Sequence, residues 1–370
     1  MKLILFQLTT IILFISLTLS SCKETDEPEI KKEDKIKVGA WYFGGWSFPA
    51  DDNGYTFHIS PSLVNDFPER EPIWGWREDG DGVMEMQIDY AANAGLSYWG
   101  FCWYENSLTG QKEYMDNLNN ALELFLQSPN NDRLEFFLMS SFPVQDSNWG
   151  KVIDGTVPYF KKSNYLKVDG KPIIAFFNSD QMLDEFGVGS GVKSRLEKLR
   201  GKARDIGMGE ILVGARSASY SNQSGYKNSG FDFVFAYHYA DEGRTHAGKN
   251  DYKNLNVAAN TAWDKIAMNS SLPFFATVGV GYDMRPWAAD HPTMPASDYW
   301  YTGVTSEKIG EHLREGIAWT KENHDDVLGN LLMMYAWNEN GEGAWLTPTN
   351  YENNARLEAV QKIIDEELNN

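Results

Sequence analysis

Short apolar runs alternate with longer amphipathic stretches along most of this chain. The apolar runs cover residues 37–43, 97–103, 134–140, 173–177, 211–215, 231–237, 274–278 and 331–337. Most are continuous rather than alternating, the pattern of parallel strands covered on both faces. Between them, apolar residues recur at helical spacing over 83–94, 111–127, 192–206, 258–268, 306–323 and 354–368. Gly95 is placed to stop the first of these helices, and Thr305-Ser306-Glu307 to start the fifth. About eight strand–helix units predict an α/β chain folded as a (β/α)8 TIM barrel. The competing doubly wound sheet would place a glycine-rich phosphate loop after its first strand. Val38-Gly39-Ala40-Trp41-Tyr42 instead leads into an aromatic loop. No short repeat and no second compositional block interrupts the pattern, so residues 36–370 read as a single domain.

In such a barrel the loops that follow the strands build the active site. Two of them are long, 44–82 and 238–255, and Trp, Tyr, His, Asp and Arg gather there. The chemistry is therefore expected just past the strand ends.

The first residues read differently. Lys2 precedes an apolar run from Ile4 to Leu19, and Leu19-Ser20-Ser21-Cys22 closes it. A basic start, an apolar middle and small residues at the cut describe a secretory signal over 1–21. The run falls short of the ~20 apolar residues that a spanning helix needs. Residues 22–35 are rich in charge and nearly devoid of large apolar side chains, so they form a tether rather than a core. The Leu-Ser-Ser-Cys ending resembles the bacterial lipobox, which implies lipidation of Cys22. Lys23-Glu24-Thr25-Asp26-Glu27 resembles the export signal of Bacteroidetes surface lipoproteins. Together they imply an outer-membrane protein, lipid-anchored through Cys22 and displayed at the cell surface.

Composition narrows the chemistry. Cys102 is the only cysteine besides Cys22, so neither a disulfide framework nor a cysteine zinc site can form within the domain. A net charge of −19 argues against nucleic acid as partner. The histidines show no ligand-spaced pair, and Asp79-Gly80-Asp81 lacks the rest of a calcium loop. No Gly-x-Ser-x-Gly elbow supports an esterase. No metal and no cofactor are expected. With 13 Trp and 18 Tyr the chain holds more rings than a core requires, and such rings serve as platforms for sugars.

The strongest motif follows the last apolar run. Tyr335-Ala336-Trp337-Asn338-Glu339-Asn340-Gly341-Glu342-Gly343 takes a strand directly into two carboxylates. Glycosidic cleavage needs two carboxyl groups of different protonation, and crowding them in a dry cleft separates their pKa values. A Glu-x-x-Glu pair on a solvated loop is common, but this one sits at the end of the last strand between Trp337 and Trp345. Glu339 and Glu342 are therefore the candidate catalytic pair. Candidate substrate contacts are Trp41, Tyr42 and Trp46 after the first strand, and Trp103 and Tyr104 after the second. Asn178, His238, Tyr239, Tyr282, Asp283, Arg285, Trp337 and Asn338 complete the set. Glu105 is a reserve carboxylate, and Arg216 a further possible contact.

Trp337-Asn338-Glu339 with Glu342-Gly343-Ala344-Trp345 resembles the Asn-Glu-Trp-x-Glu-Gly motif of glycoside hydrolase family 99, and more closely that of the related WbsX-type domains. The opening strand Val38–Trp46, the second unit Met86–Tyr104, the segment Tyr165–Pro172 and the loop Gly281–Pro286 are similar to the same family. The resemblance implies a barrel enzyme acting on carbohydrate, endo-acting and retaining in family 99 through the sugar's own 2-hydroxyl. Glu339 would then be the base for that hydroxyl, and Glu342 the general acid. Asn340 and Gly341 depart from the family pattern, which puts sugar and linkage in doubt. The expected function is hydrolysis of an extracellular poly- or oligosaccharide. A non-catalytic glycan-binding lipoprotein and a glycosyltransferase of surface polysaccharide synthesis stand as alternatives.

Overall fold

The protein is described from a computed structural model, over residues 35–105, 112–217 and 223–369. The signal segment, Cys22 and all of the expected tether except Lys35 lie outside the described residues.

Eight parallel strands alternate with helices. They are β1 (Lys37–Tyr42), β2 (Tyr98–Trp103), β3 (Glu135–Ser140), β4 (Lys171–Phe176), β5 (Leu212–Arg216), β6 (Phe233–Phe235), β7 (Phe274–Gly279) and β8 (Val327–Tyr335). Each pairs with the next, and β8 returns to β1 with Lys37 opposite Leu331 and Ala40 opposite Met334. The sheet therefore closes into a (β/α)8 barrel, and closure removes both exposed edges. Helices α1 (Val83–Asn93), α2 (Lys112–Gln127), α3 (Trp149–Thr156), α4 (Ser190–Asp205), α5 (Gln223–Asn228), α6 (Tyr252–Asn269), α7 (Ser306–Glu322) and α8 (Ala355–Leu368) follow the strands in turn.

The elements arise where the residues dictate them. Strands β1, β2, β3, β4 and β7 are buried along nearly their whole length, as their continuous apolar runs require. Thr305 caps α7 by accepting from the Lys308 amide, and Asp251 caps α6 by accepting from Lys253 at 2.8 Å. The Asp251 cap starts α6 six residues before its apolar periodicity becomes evident. The short helices α3, α5 and Ser179–Phe186 were not legible at all, being too brief to show a period.

The barrel interior is filled by aromatic rings. Trp41 packs against Phe137 at 5.4 Å, Phe235 at 5.5 Å and Phe275 at 6.3 Å between centroids. Glycines on neighbouring strands make the room. A methyl on Gly100 would stand 2.6 Å from the Trp41 ring, and one on Gly214 would stand 2.2 Å from Phe233. Large rings set against glycine thus pack the barrel interior.

Above the strands, the loops after β1 and β7 join. Helix Pro61–Asp66 meets helix Arg285–Asp290, where the Ser62 amide donates to the Asp290 carboxylate at 2.8 Å. The His291 ring nitrogen lies 3.0 Å from the Phe57 carbonyl. A short parallel ladder, Gly248–Asp251 with Tyr299–Thr302, ties the loops after β6 and β7. Among the described residues, no helix is long and apolar enough to cross a membrane.

Candidate active site

The chain leaving β8 alternates its side chains between core and mouth. The Trp337 amide donates to the Trp41 carbonyl at 2.8 Å, which carries the β1–β8 pairing one step further. The Trp337 indole is wholly buried against Trp99 and donates to Gln87 at 2.9 Å. Asn338 turns toward β1. Its amide oxygen accepts from the Phe43 amide and its NH2 donates to the Phe43 carbonyl, both at 2.8 Å. Glu339 then faces the barrel mouth, while Asn340 turns away and donates to the Arg70 carbonyl at 2.7 Å. Glu342 returns to the mouth.

The turn is fixed from below. Buried Arg70, on the loop after β1, donates to the carbonyls of Asp283 and Asn340 and pairs with the Asp283 carboxylate at 2.6 Å. The Asp283 amide donates to the Glu342 carbonyl at 2.6 Å. Gly343 sits at φ +71°, and a methyl there would come within 2.7 Å of Asp283. Only glycine fits both that conformation and that approach.

Glu339 and Glu342 line one cavity of about 250 Å³. Its walls are Phe43, Trp46 and His58 from β1 and its loop, Trp287 from the loop after β7, and Tyr104, Phe177 and Tyr237 from the ends of β2, β4 and β6. Cys102, Met139 and Ser141 complete the lining, with Gly341 between the two carboxylates. The lining carries no Lys or Arg among the described residues.

Each glutamate has its own phenol. Tyr237 donates to Glu339 at 2.6 Å, and Tyr335 donates to Glu342. Burial, reinforced by the neighbouring Glu342 charge, pushes the Glu339 carboxyl well above its ordinary range, against the Tyr237 bond. Burial raises Glu342 as well, again opposed by its phenol. Burial of both carboxyls and the charge of Glu342 beside Glu339 thus favour the protonated form in this pair. Both tyrosines are themselves raised by burial and by these negative neighbours, so they stay protonated donors. Burial pushes the Cys102 thiol up to about 12, which makes it an inert apolar floor rather than a nucleophile.

Of the residues singled out from sequence, Trp46, Tyr104, Glu339 and Glu342 share this cavity. Others are structural. Trp41 is a barrel plug, and Tyr42 lies between Trp99 and Phe101 with its hydroxyl donating to Glu78 at 3.0 Å. Trp103 packs outward on Gly155 of α3. Trp337 is core, and Asn338 clamps the β1 end rather than facing the cavity. The Asp283 carboxylate is paired with both Arg70 and Arg285, and Arg285 also lies between the rings of Phe67 and Trp300. Asn178 donates to the Ser141 carbonyl at 3.1 Å, one residue behind the wall. His238 is wedged against Tyr282 and Tyr335, and its ring nitrogen accepts from the Ala240 amide at 3.2 Å. Burial and nearby Arg216 lower its pKa to about 4, so it is neutral. Tyr239 is buried, and the Tyr282 hydroxyl lies 2.8 Å from Ser297. Glu105 accepts from Asn148 at 3.0 Å, and Arg216 stacks on the Phe177 ring.

Sequence reasoning missed Tyr237 and Tyr335, both inside apolar runs, and Arg70, Trp287, His58 and Phe177. It also missed Glu78, a buried carboxyl raised by burial to about 7, which accepts from Ser47, Tyr42 and the Trp46 amide. Glu78 thereby holds the Trp46 wall. A tyrosine in register to end at the strand tip was the one signal available for Tyr237.

The barrel is similar to a solved "glycoside hydrolase-like protein" (13% identity, 90% of this chain and 94% of that one, TM-score 0.61). It is also similar to the family 99 endo-α-mannosidase of Bacteroides thetaiotaomicron (13% identity, 89% and 96% covered, TM-score 0.58). At such identities the likeness is one of fold. The comparison with curated proteins found no match. A family model described as "Glycosyltransferase WbsX" matches residues 76–360, which span strands β2 to β8 and the glutamate turn. The chain therefore belongs to the WbsX family.

Proposed function

We propose that the protein is a retaining glycoside hydrolase acting on an extracellular poly- or oligosaccharide, with Glu339 and Glu342 as its catalytic carboxyls. One observation carries the reading: two desolvated glutamates, each held by a phenol donor, line one aromatic cavity. Burial of such a pair favours a protonated carboxyl, as acid catalysis of glycoside cleavage requires. Glu339, the deeper of the two, is the base that takes the proton from the group attacking the anomeric carbon. Glu342, half-buried and nearer the opening, is the acid that protonates the departing oxygen. Trp46, Tyr104, Phe177 and Trp287 supply ring faces for the sugar.

The family description favours a second reading, glycosyl transfer from a nucleotide sugar. A diphosphate donor wants cations or a helix N-terminus at its phosphates. The cavity instead offers two carboxylates and no Lys or Arg among its described lining. Residues 1–22 read as an export and lipidation signal, and export would separate the protein from cytoplasmic donors.

The mature protein is to be incubated with a panel of polysaccharides that includes α-mannans, and products read by chromatography and NMR. Wild-type release with retained anomeric configuration, lost in Glu339→Gln, is the expected result. Glu342→Gln should recover on an aryl glycoside whose leaving group needs no acid. Release that survives in both variants would remove the glutamates from the mechanism, and binding without release would leave a glycan-binding lipoprotein. Palmitate labelling that is lost in Cys22→Ser tests the anchor.

A further inference from the structure

Tyr351, on the loop after β8, is 76% exposed and is the one exposed aromatic among the described residues. The turn that carries it is pinned rather than loose. The amides of Thr349 and Asn353 each donate to the other's carbonyl, at 3.0 and 2.8 Å, and the Glu352 amide donates to the Thr349 hydroxyl at 3.1 Å. Glu352 pairs with buried Arg356 of α8 at 2.7 Å, and the Asn350 amide donates to the Glu71 carbonyl at 3.2 Å. The turn is thereby fixed both to α8 and to the loop after β1. A ring held on such a turn gives up little freedom on binding, so its stacking surface is available to a ligand.

Tyr351 lines an open depression of about 350 Å³ together with Pro68, Glu69 and Asn350. It shares no lining residue with the catalytic cavity, yet both draw on the loops after β1 and β8 and so lie at the same end of the barrel. The Glu69 carboxylate approaches Arg70 only at 3.9 Å, and Arg70 is itself paired with Asp283 at 2.6 Å. An aromatic ring, a carboxylate acceptor and a carboxamide suit a pyranose, which has an apolar C–H face and a rim of hydroxyls. Glu69, the adjacent Glu71 and the net charge of −19 disfavour an acidic ligand.

We propose that this depression is a second carbohydrate-binding site, which holds a neutral sugar unit of a polysaccharide outside the catalytic cavity. The Tyr351 ring covers the sugar face, and Glu69 and Asn350 take its hydroxyls. The inference rests on the reading of the protein as one that acts on glycans, but binding is measured without hydrolysis. The mature protein is run in native gels containing α-mannan, galactomannan or xyloglucan, with polygalacturonate as the acidic comparison. Tyr351→Ala, Tyr351→Phe and Glu69→Gln are run beside it. At least one neutral polymer should retard the wild type. Tyr351→Ala should weaken that binding about five-fold, the scale of one aromatic contact, while Tyr351→Phe, which keeps the ring, should stay close to wild type. Glu69→Gln, which loses a charged acceptor, should bind more weakly than wild type. A wild type retarded by none of the neutral polymers, or by polygalacturonate alone, would overturn the proposal. So would undiminished binding by Tyr351→Ala, or a loss in Tyr351→Phe as large as in Tyr351→Ala. A dimer in sedimentation velocity that Tyr351→Ala abolishes would assign the surface to a second copy of the chain instead. Tyr351-dependent retardation in a protein that releases no product from any polymer would retain this inference while refuting the hydrolase reading.

Discussion

Tyr237→Phe removes one oxygen atom and tests the electrostatics of the site. The phenol donates to Glu339 at 2.6 Å within the barrel mouth, and that bond favours the ionised carboxylate. A hydrogen bond to a charged group contributes about 1.5–3 kcal/mol. At about 1.4 kcal/mol per pKa unit, its loss should raise the Glu339 pKa by about 1–2 units. The ring volume is conserved, and the Cys102 sulfur loses only a weak contact at 3.5 Å. With Glu339 as the base, the acid limb of kcat/KM against pH should move upward by that amount while the alkaline limb stays in place. Carbon-13 NMR of carboxyl-labelled glutamate reads the same shift in the absence of substrate. An acid limb that stays put, or moves down, would refute the argument that the phenol holds Glu339 toward its ionised form.

Three further outcomes follow from the packing. Glu78 has a folded pKa of about 7 against an ordinary 4.5, so the native state binds its proton more tightly than the unfolded chain. Its contribution to stability is full below pH 4.5 and is lost as pH rises through 7, a loss of about 3 kcal/mol. Glu78→Gln, neutral throughout, should lack that loss, so the difference between variant and wild type in urea unfolding should change between pH 5 and 8; parallel curves would contradict it. Arg70→Leu leaves the Asp283 carboxylate to Arg285 alone and the carbonyls of Asp283 and Asn340 without their donor, and should destabilise by about 1–3 kcal/mol in denaturant titration. Gly100→Ala forces a methyl against the Trp41 ring and should cost about 1–3 kcal/mol, measured as a lowered unfolding midpoint.

The eight strands were legible because a parallel barrel buries both faces of each strand, so its strands are written as unbroken apolar runs. The helix start at Thr305 was legible because capping is a local hydrogen bond. The glutamate pair could be located from sequence because the turn after β8 must place polar groups at the barrel mouth. What sequence could not separate was ring from ring. Trp41, Tyr42 and Trp103 lie within a few residues of Trp46 and Tyr104 along the chain, and Trp337 stands at the tip of the last strand. Yet Trp41, Tyr42, Trp103 and Trp337 fill the barrel or pack on helices, and only Trp46 and Tyr104 reach the cavity.

That division is tertiary in origin. Whether an aromatic at a strand tip points inward, outward or upward depends on barrel closure and on which glycine stands opposite, as Gly100 does for Trp41. The same holds for charge. Asp283 and Arg285 looked like sugar contacts in the chain, but buried Arg70, more than two hundred residues away, takes up the Asp283 carboxylate. Tyr237 and Tyr335 read as ordinary core residues until the barrel set their hydroxyls on the two glutamates. The linear pattern thus determined the barrel, its mouth and the position of the glutamate turn, because strand periodicity fixes where the last strand ends. Only the closed structure decided which polar groups face solvent and which face each other, because burial and pairing are properties of space rather than of sequence.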